Sequence, residues 1–128
     1  MTARPAHHTV DVYGAEVYCA TNARQWAWLR RRFDFVEDLP TSAGQAQFAV
    51  WEPNSGLSVP HLILWVDVAK HHGEGELIDS CAHEASHAAS ELFNHIGHTP
   101  TGTDEPTAYF VGWLTRWIWE HCRKDSDA

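Results

Sequence analysis

The stretch from Glu76 to Ile96 limits what this chain can fold into more than any other. Ile78, Ala82, Ala85, Ala89, Leu92 and Ile96 recur at helical spacing. That period predicts a long amphipathic helix with those six residues as its buried stripe. Gly97 follows at the position where helices commonly end in left-handed backbone. Within the segment, His83-Glu84-Ala85-Ser86-His87 reads HExxH. Four residues advance a helix by about 400°, which leaves the two imidazoles about 40° apart on one face. Two imidazoles so placed can converge on one metal ion. Glu84, one step round, is positioned to take a proton from a water on that ion. Alanines at 82, 85, 88 and 89 keep the helix slim and admit a close neighbour.

A catalytic zinc site needs a third protein ligand and an open fourth position. Glu105 is the candidate, eighteen positions after His87 and near the start of a second helical segment. That segment is expected from Asp104, a good N-cap with Pro106 in the first turn, to about Cys122. Ala108 and Gly112 share a face with Glu105, and small residues there predict a close crossing of the two helices. The competing role for Glu105 is that of an acidic residue favoured by the helix dipole.

Upstream, Val10 to Cys19 reads as one bulged strand or a hairpin about Gly14. A short helix, capped by Thr21 or Asn22, is expected through about Phe33. Residues Pro40 to Gly44 read as turn material. Two further strands are expected at Gln47–Trp51 and His61–Val68, the second covered on both faces at its apolar centre. The predicted class is α+β: a small, mostly antiparallel sheet packed with the HExxH helix and a C-terminal helix. The 128 residues are expected to form a single domain, with residues 1–75 giving the strands and a short helix and 76–122 a two-helix metal-binding unit.

The net charge of −8 opposes a grip on phosphates, so no nucleic-acid partner is expected. Three widely spaced cysteines argue against a disulfide scaffold. No apolar run is long enough for a signal peptide or a membrane span, and a cytoplasmic location is expected.

HEASHAASELF followed by DEPTAYFVGWL resembles the gluzincin branch of the zincins, HExxH plus a distal Glu. Most closely it resembles the short metallopeptidase-like proteins of tailed phages and prophages. The similarity covers about residues 61 to 120. It implies a minimal zincin-like fold, Zn2+ held by His83, His87 and Glu105, Glu84 as catalytic base, and a peptide or protein substrate. The metzincin branch is excluded, because Ser90 and Phe93 occupy its Gly and third His positions. Where larger gluzincins carry a supporting Asp four residues after the distal Glu, this chain has Tyr109.

Three residues are candidates for supporting roles. Asp79, one turn before His83, could orient an imidazole N–H. Tyr109 could stabilise an oxyanion, and His98 could swing over the site from the interhelical loop. Each also has an ordinary role open to it: first-turn acid, packing residue and surface histidine. Two other functions remain open for the chain. One is a non-catalytic, zinc-stapled phage structural or assembly protein; the other is a metal-free helical interaction module.

Overall fold

The computed structural model describes residues 4–50, 59–98 and 104–126. Its centre is strand β4, His61–Val66, in which all six residues are buried. A strand so uniformly apolar must be covered on both faces. Leu62, Leu64 and Val66 enter one core; Ile63 and Trp65 enter the other. On one side β4 pairs in parallel with β2, Ala15–Ala20; on the other it pairs antiparallel with β3, Gly44–Ala49. Strand β1, Ala6–Val10, pairs antiparallel with β2, so the sheet runs β1-β2-β4-β3. The sheet is mixed, with one parallel ladder among the antiparallel ones. The α+β class stands.

The hairpin between β1 and β2 turns through a short 3₁₀ segment, Asp11–Tyr13, and Gly14, whose φ of +63° suits glycine. Helix α1, Ala23–Arg32, begins where the Asn22 side chain accepts the Gln25 N–H at 3.0 Å. It covers one face of the sheet, with Trp26 packed edge-on to Trp65 at 5.6 Å.

Helices α2, Glu74–His95, and α3, Glu105–Ser126, cover the other face. They run antiparallel: Phe93 near the end of α2 meets Phe110 near the start of α3 at 5.8 Å, and Arg123 returns to Glu74. Gly97 closes α2 at φ +82°. Its N–H reaches the Asn94 carbonyl, the His98 N–H reaches the Phe93 carbonyl at 2.9 Å, and the His98 ring lies against Phe93. This is a complete Schellman closure with its apolar contact.

Several expectations change. The buried stripe of α2 is Leu77, Cys81, Ala85, Ala88, Ala89, Leu92 and Phe93, whereas Ile78 and Ile96 are exposed. The helix presents to the core a face rotated from the one read by periodicity, because it must serve both a sheet and a neighbouring helix. Strand β3 begins three residues earlier than expected, and the Pro53–Gly56 turn lies outside the described residues. Cys19, Cys81 and Cys122 are buried free thiols from three different elements, and burial pushes the Cys19 thiol well above its ordinary range.

The close crossing at Ala108 and Gly112 does not form. Both residues are exposed, and a side chain at Gly112 would meet nothing within 4 Å. The face of α3 that packs inward is Phe110, Leu114, Ile118 and Cys122. Gly112 is therefore an exposed glycine inside a helix. Gly112→Ala is expected to stabilise the fold by about 0.5–1 kcal/mol through reduced freedom of the unfolded chain. A denaturant midpoint that falls would show a packing role that the open surroundings do not reveal.

Candidate functional site

HExxH falls in the middle of α2, and its three chemical residues separate by face. His83 and His87 are exposed, while Glu84 is buried at 6% exposure. The imidazole Nε2 atoms stand 3.1 Å apart, with the rings inclined by 72°. Two nitrogens bound to one tetrahedral zinc at ordinary lengths lie about 3.3–3.4 Å apart, so the pair is already near that spacing. The same distance fits a hydrogen bond between neutral imidazoles. The donor set and its spacing suit a divalent ion such as zinc, as two ligands of a larger set.

Glu84 points toward β3, and Gly44 makes room for it. A Cβ on residue 44 would stand 2.6 Å from a Glu84 carboxylate oxygen, inside contact distance. Burial raises the Glu84 carboxyl above its ordinary range, and the neighbouring His83 and His87 act in the opposite direction. A buried carboxylate beside a histidine pair is a proton acceptor poised nearer neutrality than a free glutamate.

Strand β3 forms one edge of the sheet and runs along α2. Its Gly44 meets Glu84, and its Phe48 meets the His95 ring at 5.7 Å. Helix α3 flanks α2 on the other side, toward the opposite edge of the sheet, where Trp113 meets His8 of β1. His87 lies about 120° round the helix from Phe93, which faces α3. The imidazoles are thus on the side of α2 turned away from α3. His71 steadies this end of the helix: its ring joins the Asp67 carbonyl to the Ser80 hydroxyl, both at 2.7 Å.

Glu105 does not join the pair. Among the described residues no three His, Cys, Asp or Glu side chains are close enough together to hold a metal. The reason is rotational. Glu105 lies about 140° round α3 from Phe110, which leads the packed stripe, and it shares its exposed face with Ala108 and Gly112. It lines a separate cleft with Tyr109 and the Asp11–Tyr13 turn. Tyr109, 75% exposed, stands in that cleft and not over the histidines.

The remaining candidates are also placed elsewhere. Asp79 is exposed, with no hydrogen bond to either imidazole of the pair. His98 pairs with Asp104 at 2.6 Å, linking the end of α2 to the cap of α3. The Thr107 hydroxyl and then His98 hold the Asp104 carboxyl below its usual range. Sequence reasoning missed Gly44, because nothing local ties a strand-opening glycine to a glutamate forty positions later.

Compared with known proteins, the chain matches no family model, no curated protein and no solved structure. Among the described residues no helix is long and apolar enough to cross a membrane.

Proposed function

We propose that this protein is a zinc-dependent hydrolase acting on peptide or amide bonds, with His83 and His87 as metal ligands and Glu84 as general base. The observation that carries this reading is the histidine pair, with nitrogens 3.1 Å apart, on the same helical turn as a buried glutamate. When bound, zinc would polarise a substrate carbonyl and bring the pKa of its water to about 7.

The chain's own residues do the rest. His83 and His87 would hold the ion on the open side of α2. Glu84, its carboxyl raised by burial, accepts a proton from the attacking water and returns it to the leaving amine. Gly44 keeps the space in which that carboxylate sits. Glu105 is the third ligand implied by the gluzincin resemblance, and reaching the pair requires the first turn of α3 to leave the cleft it lines.

The peptide class has support from the fold as well as from resemblance. The outer edge of β3 pairs with no described strand, on the side of the sheet where the imidazoles lie. An extended chain added to that edge would be oriented by main-chain hydrogen bonds. Strand β4 offers no such edge, since it is internal and paired on both sides.

Elemental analysis of protein prepared without a histidine tag tests the metal, and chelator-sensitive cleavage of an unfolded protein substrate tests the reaction. One zinc per chain with cleavage lost on chelation and restored by zinc is expected. No stoichiometric metal would defeat the proposal, and zinc without cleavage would favour a structural ion in an assembly or interaction protein.

A further inference from the structure

We propose that the cleft between the β1–β2 turn and the first turns of α3 binds an organic cation, an ammonium group on an apolar body. The cleft is open to solvent and offers about 590 Å³, a volume within the range of small-ligand sites. Asp11, Tyr13, Glu105, Tyr109, Phe110 and Trp113 are among its lining, with the His8 ring against Trp113. Sheet order puts β1 at the edge opposite β3, so this cleft lies apart from the histidine pair, and it uses Glu105 where that residue stands in this structure.

Three features select the ligand. The apolar lining is left to solvent: Val12 is 80% and Trp113 37% exposed, beside the open Tyr109. A ligand with an apolar body gains by covering such residues. The rings are held before any ligand arrives. Tyr13 packs edge-on to Phe93 at 5.0 Å and to Phe110 at 5.9 Å, and Phe110 stacks with Trp113 at 6.0 Å. Finally, Asp11 and Glu105 form no ion pair with any described residue, in a chain of net charge −8. Aromatic faces and free carboxylates both attract a cation, an anion is repelled by both, and a neutral ligand gains only from the rings.

The test is an NMR titration of the isotope-labelled full chain with choline and with its neutral isostere, 3,3-dimethylbutan-1-ol. Choline is expected to shift the Trp113 indole and the Asp11–Tyr13 amides, with binding about tenfold tighter than the alcohol. Asp11→Asn, an exposed change that leaves the packed rings alone, is expected to weaken choline about threefold or more and to leave the alcohol unchanged. Trp113→Leu is expected to remove both. Equal binding of the two probes, or choline shifts that miss the cleft, would overturn the assignment. So would an Asp11→Asn variant that binds choline as well as the parent.

Discussion

Glu84→Gln is expected to abolish hydrolysis, with a fall of about two to four orders of magnitude, while zinc binding and fold are retained. The amide matches the carboxylate in shape, so it fits the space opened by Gly44. It cannot accept the proton that the attacking water must lose. The fold has reason to tolerate the change, since burial disfavours the charged form of Glu84 and a neutral amide escapes that cost. Zinc content, thermal melting and turnover measured on one preparation separate these effects. Turnover at the parent rate would remove Glu84 from the chemistry. Lost turnover together with lost zinc would make it a residue that supports the site and not its base.

His87→Ala is expected to lower zinc affinity by well over the 10–100-fold that follows loss of a ligand's supporting partner. The imidazole is exposed and alanine favours a helix, so the variant should fold at least as well as the parent. Competition against a chromogenic chelator measures the affinity. Glu105→Ala, run beside it, is the more informative comparison. If the first turn of α3 moves to complete the site, its affinity falls with that of His87→Ala. If it binds zinc as tightly as the parent, Glu105 belongs to the aromatic cleft alone and the third ligand lies elsewhere. An unchanged affinity in His87→Ala would sink the histidine pair itself.

Much of the fold was legible because its signals are local. Asn22 caps α1 through its own side chain, Gly97 ends α2 in left-handed backbone, and the apolar run at His61–Val66 reads as a strand covered on both faces. The HExxH geometry is likewise internal to one helix. Four residues of any regular helix return the second histidine to the first, so the 3.1 Å approach follows from spacing once the helix exists.

Rotation between elements was not legible. Periodicity gave α2 a stripe through Ile78 and Ile96, but the helix lies against β3, β4 and α3 together, and the shared core takes Leu77, Cys81 and Phe93 instead. The same holds for α3. Two small residues beneath Glu105 predicted a crossing, yet the larger face of Phe110, Leu114 and Ile118 buries more apolar area and sets the orientation of the helix.

By itself, then, the sequence determined the helix, the spacing of its imidazoles and the glutamate beside them, since each depends on neighbours within one turn. Tertiary structure alone decided that Glu84 sits against Gly44, that β3 lies at an edge of the sheet, and that Glu105 shares a cleft with Asp11 and Tyr109. Those placements depend on how whole faces share one core, and a residue at the rim of a helix is carried wherever the largest buried face turns it.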